Sequence, residues 1–464
     1  MRSDDPGRPA PAESADPGPA PAEAAQWVGA DADPAPGHRR GVSRRTALRA
    51  ALIAAGGAAV GYGVSRIPSA GTGDSSAGDN SAGDGGSRDG AEPQPAALAA
   101  ADAGAGAFGT DAVPFRGLHQ AGVVTAGQAH ALFCAFDAHP NLDRDAAIRL
   151  MRVLTDDIDR LTRGGAALGD TAPELALRPA RLTITVGFGP RMFALIGRPD
   201  ARPAGLVDLP GFASIDQLDQ RYCGGDLLLR IGGDDPTVVS HAQRMLLKDT
   251  RAFAAPRWFQ RGFLRARGID APDVTPRNLM GQVDGTVNPS TAEEQDRLVW
   301  SADPGWFANG TTAVIRRLKM DLDRWDTLDR AAMETVIGRR LSNGAPLSGQ
   351  AEFDEPDFNA VDDTGLPAIA SSAHIRLARG SGAAPQILRR GYSYDDSPDA
   401  NGASDLGLIF CAFQADIGTQ FIPMQQRLAD ADLLNTWITP VGSAVFAILP
   451  GAQVGEYLGE ALLR

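Results

Sequence analysis

Cysteine and histidine are scarce in this sequence, with three and six residues respectively among 464. Cys134, Cys223 and Cys411 lie far apart, and the first and last sit within apolar runs. We therefore interpret them as small buried hydrophobes, and not as a disulfide framework or a set of metal ligands. The sequence also lacks a G-x-S-x-G elbow, a Walker loop and a G-x-G-x-x-G motif after a strand, so it carries no signature of a serine hydrolase or a nucleotide-binding enzyme.

The chain has fewer positively charged than negatively charged residues. The chain has 44 Lys and Arg against 57 Asp and Glu, which gives a net charge of -13 and a pI near 5.0. Nucleic acid is therefore not an expected partner, because binding to phosphates needs a basic face. With 43% hydrophobic and 22% charged residues, the chain can bury a large core in one or two domains.

The N-terminal segment has no hydrophobic run long enough to span a bilayer. Its Ala- and Gly-rich stretch, from about Ala50 to Val64, is shorter than the ~20 apolar residues that a span requires. This stretch follows Arg44 and Arg45 in "SRRTAL", an arrangement that resembles a twin-arginine export signal. An N-terminal anchor helix is the alternative, which the many glycines disfavour. We expect an extracellular, periplasmic or cell-envelope location, reached through the twin-arginine export machinery.

Composition divides the chain into four segments. Residues 1–69 form the signal region, which begins with a Pro- and Ala-rich leader that cannot fold alone. Residues 70–112 are a Gly, Ala, Ser and Asp linker. The folded part is expected to begin near Val113 and to comprise two domains, 113–290 and 291–464.

These two domains repeat one order of elements. Residues 113–290 predict the order β-α-β-β-α-β, with "DRDAAIRLMRVLTDDIDRL" as the first helix because its apolar residues recur at helical spacing. Residues 291–464 predict the same order, with "SSAHIRLA" as a strand, and FCAF recurs at 133–136 and 410–413. The sequence therefore predicts an α+β fold made of two ferredoxin-like domains.

Asp284 is the first candidate for chemistry. It stands in "NLMGQVDGTVNPS" between Gly281 and Gly285, and glycine allows a tight turn or a close approach to another group. A surface turn is the simpler interpretation of an Asp-Gly pair. The apolar neighbours favour instead a carboxylate that points into a cavity; they are Leu279, Met280, Val283 and Val287.

His374, in "SSAHIRLARG", is the second candidate. A lone histidine is more often a hydrogen-bonded core residue than a ligand. Two arginine pairs beside glycine favour a ligand role for His374, because such pairs in apolar segments are typical of a site that binds an anion. They are Arg339 with Arg340 and Arg389 with Arg390. One histidine, one buried carboxylate and several arginines fit a haem, which needs an axial ligand, a distal acid or base, and cations for its propionates.

Seven segments, in the same order, resemble the twin-arginine-exported branch of the dye-decolourising peroxidases. They are "VPFRGLHQAGV", "LTITVGFGPRMF", "NLMGQVDGT" with the G-x-x-D-G signature, "VIGRRLSNGAPL", "AHIRLA", "ILRRGYSY" and "FIPMQQRLADADLLNTWITPVGSAVFAILPG". The resemblance runs from about Val113 to the C-terminus. It implies a dimeric α+β barrel fold made of two ferredoxin-like domains, one b-type haem per chain, and hydrogen peroxide as the oxidant of dyes, phenolic compounds or other organic electron donors in one-electron steps.

The resemblance also implies roles for particular residues. Asp284 would be the distal catalytic aspartate, Arg389 the distal arginine in contact with haem, and His374 the proximal ligand of the iron. Asp416 is the expected acceptor for the other ring N–H of His374. Gln282 departs from the family, which often has an aromatic residue there. The remaining expected haem contacts are Gly285, Thr286, Arg379, Gly380 and Ser381.

Two other functions stay open at this point. A protein similar to the deferrochelatases, which release iron from haem in an iron-uptake system, would use the same pocket and export signal. A non-catalytic haem carrier would have no use for Asp284. A homo-oligomer is also compatible with the sequence.

Overall fold

The computed structural model describes residues 108–380, 386–398, 402 and 404–464. The export signal and Ser381 therefore lie outside the described residues. None of the helices within these ranges combines the length and apolar character needed to cross a membrane.

The first half of the described chain has the predicted element order, with one short extra helix. The first long helix begins after Asp143, whose side chain accepts a hydrogen bond from the Ala146 N–H (2.8 Å), and it buries its apolar stripe as expected. The elements are β1 (His130–Ala138), α1 (Arg144–Thr162), β2 (Thr183–Phe188), α2 (Pro190–Leu195), β3 (Leu227–Gly233), α3 (Pro236–Thr250) and β4 (Ala254–Phe263).

The second half repeats the pattern with more interruptions. A five-residue π-helical turn, Ile417–Phe421, leads directly into its last long helix. The elements are α4 (Ala292–Leu298), β5 (Thr311–Met320), α5 (Leu322–Trp325), α6 (Arg330–Ile337), α7 (His374–Arg379), β6 (Leu388–Arg389), β7 (Tyr392–Asp396), β8 (Asp405–Gln414), α8 (Ile422–Ala431), β9 (Ile438–Ile448) and α9 (Glu460–Leu463).

The strands form one antiparallel sheet that closes on itself. The order is β5-β9-β2-β3-β1-β4-β7-β8, and β8 also pairs with β5 over Thr312 to Lys319, while the two-residue β6 pairs with the end of β8. Within each half the order is fourth, first, third and second strand, which is the ferredoxin-like arrangement. The prediction of two ferredoxin-like units joined in an α+β barrel is confirmed.

Alternate residues of the strands face two different apolar regions. In β1, Phe133 belongs to the cluster inside the barrel, whereas Leu132 and Cys134 pack under the helices outside it. Cys411 lies in the interior cluster, and Cys223 is also buried. All three cysteines are free, which confirms that they serve as small buried residues.

The segment "SSAHIRLA" is a helix, and the strand prediction for it is wrong. Residues 374–379 form α7, and α8 holds this helix because Arg427 donates from Nε to the Leu377 carbonyl (2.9 Å) and from Nη2 to the Ala378 carbonyl (3.2 Å). Short apolar runs fit a strand and a buried helix equally well, and tertiary contacts decide between them. The strand of this half that precedes β8 is instead β7.

Candidate active site

The main cavity lies on the outer face of the second half of the barrel. It encloses about 250 Å³ between strands β5 and β8 on one side and helices α6, α7 and α8 on the other, with the Asp284 loop at its edge. Residues His374, Ile375, Ala378 and Arg379 of α7 line it, at the spacing of one helix face. The helical form of this segment is therefore what turns His374 and Arg379 to the same cavity.

Among the described histidines, His374 alone lines the main cavity. One nitrogen of its ring is held by a hydrogen bond. Its Nδ1 donates to Oδ2 of Asp432 at 2.6 Å, and the Asp432 side chain is only 1% exposed. The other oxygen of Asp432 accepts the Leu434 N–H at 2.9 Å, which holds the carboxylate in place. With the proton on Nδ1, the lone pair is on Nε2, and such a histidine is oriented to ligate a metal.

Asp416 does not contact His374, so the predicted partner is wrong. Asp416 precedes the π-helical turn and caps it, accepting the Thr419 N–H at 2.9 Å. Asp432 follows the other end of α8. A helix of ten residues is about 15 Å long, and it is the C-terminal end of α8 that lies beside His374. The run "ADADLL" carries a sequence signal for Asp432, because an aspartate before two leucines is typical of a helix cap.

Asp284 and Arg389 meet across the cavity edge. Arg389 Nη1 donates to Asp284 Oδ1 at 2.6 Å, and both side chains are partly buried. The second oxygen of Asp284 receives only a longer bond of 3.3 Å from Asn278 Nδ2. Gly281 (φ 79°) and Gly285 (φ 138°) both adopt positive φ, which explains why glycine flanks this aspartate.

Asn288 fixes the backbone of Arg389. Its Oδ1 accepts the Arg389 N–H at 2.8 Å, and its Nδ2 donates to the Arg389 carbonyl at 3.0 Å. The loop that carries Asp284 is thereby tied to the strand that carries Arg389, although the two are 105 residues apart in the chain. Sequence reasoning missed Asn288, because the Asn-Pro pair there indicates only a turn.

The other expected contacts fall into three groups. Gly285, Thr286 and Arg379 line the main cavity; Thr286 Oγ1 donates to Glu352 Oε1 at 2.9 Å, and Arg379 pairs with Glu355. Gly380 ends α7 with φ 67°, and a side chain there would meet the guanidinium of Arg427. Gly380 does not line the cavity, and Ser381 lies outside the described residues.

Only the first arginine of each predicted pair faces the main cavity. Arg389 lines it, whereas Arg390 turns away and donates to the Val123 and Val124 carbonyls at 3.1 and 2.9 Å. The side chains of successive residues in extended backbone point to opposite sides, which explains why Arg389 faces the cavity and Arg390 does not. Arg339 also lines the cavity and donates to two backbone carbonyls. Burial lowers the pKa of Arg339, and the nearby Glu352 opposes that shift.

The cavity fits a haem. Its walls are largely apolar, as a porphyrin requires, and four arginines line it against two aspartates, Asp284 and Asp432. Buried nitrogen atoms without a partner, Nε and Nη1 of Arg316 and Nε2 of Gln282, belong to residues of its lining. Buried donors of this kind need an acceptor, and the propionates of a haem are acceptors. Among the described residues no cluster of three or more His, Cys, Asp or Glu could hold a bare metal ion.

The cavity on this ferredoxin-like barrel combines a carboxylate-bound histidine, an arginine and aspartate pair and largely apolar walls. This combination is typical of a haem-dependent oxidoreductase. Two family models, "Dyp-type peroxidase, N-terminal" and "Dyp-type peroxidase, C-terminal", match residues 120–264 and 275–453. The chain belongs to the Dyp-type peroxidase family. It is therefore a haem peroxidase that uses hydrogen peroxide as oxidant and organic molecules as electron donors.

Individual relatives cover most of the folded chain. The dye-decolorizing peroxidase of Thermobifida fusca (strain YX) is 42% identical over 346 residues, which are 72% of this chain and 80% of that protein. The deferrochelatase of Yersinia pseudotuberculosis serotype I (strain IP32953) is 35% identical over 374 residues, 76% of this chain and 85% of the relative. The crystal structure of a DyP-type peroxidase from Cellulomonas bogoriensis has a TM-score of 0.75 at 48% identity, and the match covers 77% of this chain and 100% of that one.

Proposed function

We propose that His374 would hold the haem through Nε2 and that Asp284 and Arg389 act on hydrogen peroxide in the same cavity. Bound haem supplies the redox-active iron. Asp432 keeps the proton of His374 on Nδ1 and orients the ring, because its own carboxylate is buried and fixed by the Leu434 N–H. The observation that carries this proposal is the convergence of His374, Asp284 and Arg389 on one cavity.

Asp284 moves a proton between the two oxygens of the peroxide. Its Oδ2 is the better acceptor, since Oδ1 already accepts a 2.6 Å bond from Arg389 and Oδ2 only a 3.3 Å bond from Asn278. General acid and base catalysis of this kind contributes about 10² to 10⁴ in rate. Arg389 stabilises the negative charge that develops on the departing oxygen.

The donors that we propose are dyes and phenolic compounds, oxidised one electron at a time. The dye-decolorizing peroxidase of Thermobifida fusca, at 42% identity, supports this donor class. The test uses purified protein with one haem per chain, an anthraquinone dye and hydrogen peroxide. We expect dye loss that depends on peroxide and on haem, followed by absorbance. Dye that stays intact in the complete mixture, while haem content is normal, would contradict the donor class.

Release of iron from haem is the second candidate function, because a relative named deferrochelatase is 35% identical over 76% of this chain. This activity would leave the porphyrin ring intact. Its signature is free protoporphyrin, which fluoresces, together with iron that a chelator captures. Porphyrin fluorescence that rises in step with chelated iron, in the absence of dye turnover, would favour this function over the peroxidase proposal.

Export by the twin-arginine route is also part of the proposal, supported by Arg44 and Arg45 ahead of a short apolar run. Changing both to lysine should retain haem-loaded protein in the cytoplasm, since the export machinery reads the arginine pair and not the charge alone. Arg39 and Arg40 provide a matched control pair, which should tolerate the same change. Fractionation and immunoblotting measure the outcome, and normal export of the Arg44 and Arg45 variant would refute the route.

A further inference from the structure

Asn278 is a partly buried asparagine in the loop that carries Asp284. It lines the main cavity, and its Nδ2 donates to Asp284 Oδ2 at 3.3 Å. This oxygen is the one that accepts a proton from hydrogen peroxide in the proposed function. A role for Asn278 in the reaction therefore rests on that function.

The orientation of the Asn278 amide group is fixed by its oxygen. Oδ1 accepts the Met280 N–H at 3.0 Å and the Gln282 N–H at 3.3 Å. An amide group carries an acceptor on one side and two donors on the other. A flipped amide would place its NH₂ group against two N–H donors and its oxygen against the Asp284 carboxylate. The hydrogen-bond pattern therefore assigns Nδ2 to the side of Asp284.

The backbone around Asn278 is also held. The Asn278 N–H donates to the Gln282 carbonyl and the Gly281 N–H donates to the Asn278 carbonyl, both at 3.0 Å. The buried Trp325 donates from Nε1 to the Met280 carbonyl at 3.3 Å, which ties this turn to the core. The turn therefore presents the Asn278 donor to Asp284 in a fixed position.

The other charged groups that line the cavity have partners elsewhere, apart from Arg389, which binds Asp284 Oδ1 at 2.6 Å. They are Arg316 with Asp216, Arg339 with backbone carbonyls, Arg379 with Glu355, and His374 with Asp432. The Asp284 carboxylate is thus held by a charged donor at one oxygen and by a neutral donor at the other.

We propose that Asn278 is a positioning residue that aims Oδ2 of Asp284 into the cavity. Arg389 fixes only one oxygen, and the terminal torsion of an aspartate is broad, so the second oxygen needs its own restraint. A neutral donor at 3.3 Å restricts this rotation and is weak enough to leave Oδ2 free to accept a proton.

Two substitutions separate this role from the structure of the turn. Asn278→Ser keeps a side-chain oxygen that can accept the turn N–H groups, but its shorter side chain loses the donor toward Asp284. Asn278→Asp keeps the length and the acceptor, and it replaces the donor with a second oxygen. We expect both haem-loaded variants to react with hydrogen peroxide about tenfold more slowly at neutral pH, the effect of one lost hydrogen bond. Stopped-flow absorbance measures the rate.

The pH dependence of Asn278→Asp tests the donor directly. A protonated carboxyl group can donate to Asp284, whereas an ionised one repels it. The rate of this variant relative to the wild type should therefore recover as the pH falls toward about 4, while Asn278→Ser stays slow at every pH. Cyanide provides a readout without turnover, because hydrogen cyanide also gives up a proton when it binds to ferric haem. Its association rate should follow the same pattern.

Asn343→Asp is the matched control. Asn343 also accepts a backbone N–H, from Ala345 at 3.1 Å, and donates to the Gln350 carbonyl at 2.8 Å, but it is exposed and does not line the cavity. This variant should react at the wild-type rate. In an Asp284→Ala background, Asn278→Ser should cause no further loss, because Asn278 acts through the aspartate.

The outcomes either support or overturn the positioning role. Slower reactions with peroxide and cyanide that recover at low pH in Asn278→Asp alone support it. Equal losses in both variants at every pH would mean that only the turn matters, and wild-type rates in both would mean that Arg389 is sufficient. A further tenfold loss in the Asp284→Ala background would mean that Asn278 acts on the peroxide itself. Each of these three results overturns the proposal. A failure of the proposed function is distinct, because Asp284→Ala alone would then react with peroxide at the wild-type rate.

Discussion

Replacing His374 with alanine should remove stable haem binding. No other described histidine lines the main cavity, and the ring of His374 is held with Nε2 free by its 2.6 Å bond to the buried Asp432. If His374 is the proposed ligand, its loss leaves only apolar contacts and the arginines to retain the cofactor. We therefore expect the affinity for haem to fall at least tenfold, which is the smallest effect usual for losing a group that only orients a metal ligand. Haem per chain after purification, and the position of the Soret band, measure the effect.

Two variants make this result specific. Asp432→Asn keeps the histidine but weakens its orientation, so the haem should bind with a changed Soret spectrum and a smaller loss of affinity. His241→Ala is the histidine control, because His241 is buried against Asp170 at 2.9 Å and does not line the cavity. Imidazole added to His374→Gly should restore part of the spectrum. Normal haem content and a histidine-type spectrum in His374→Ala would show that another residue is the ligand.

The fold was predictable because its signals are local. The apolar spacing of residues 144–162 predicts α1, and alternation and turn residues predict most strands, so the doubled β-α-β-β-α-β order could be read from the chain. The closure of the barrel through β5 and β8 joins segments about a hundred residues apart, and no local pattern encodes it. That step followed only from the resemblance to a known family.

The site was predictable only in part. Asp284, Arg389 and His374 lie in distinctive segments, and the structure brings these three to one cavity. Asp432 was missed and Asp416 was chosen wrongly, because both aspartates flank the same helix and only three-dimensional packing shows which end lies beside His374. The partners that orient a functional group act through contacts between distant segments, and one sequence does not record such contacts.

Buried arginines are a second case in which the sequence alone does not show which residue lies at the site. Arg316 and Arg317 are adjacent in sequence, yet the first lines the main cavity and the second is tied to Gln260, Asp396 and Asp405. The same division separates Arg389 from Arg390. An arginine pair in a strand therefore predicts one cavity residue and one residue on the opposite face, and the register of the sheet decides which is which.

Substitutions of Arg389 and Asp284 should slow the reaction with hydrogen peroxide while haem remains bound. For Arg389→Leu we expect a decrease of about 10² to 10³ in the second-order rate constant, the usual effect of losing a donor that stabilises developing charge. For Asp284→Ala the expected decrease is about 10² or more, since the proton shuttle is lost. Arg389 should matter at least as much as Asp284, because Arg389→Leu also removes the 2.6 Å bond that orients the carboxylate. Stopped-flow absorbance of the haem after mixing with peroxide measures both.

The direct bond between the two side chains predicts that their effects are not additive. The double variant Asp284→Ala with Arg389→Leu should be little slower than the slower single variant, because each residue acts through a geometry that the other maintains. Arg324→Leu and Asp326→Ala are matched controls, since both residues are exposed and lie on or beside α5, and neither lines the main cavity. Unchanged rates in both single variants, at normal haem content, would refute the distal assignment. Fully additive losses would instead mean that Asp284 and Arg389 act on the peroxide independently.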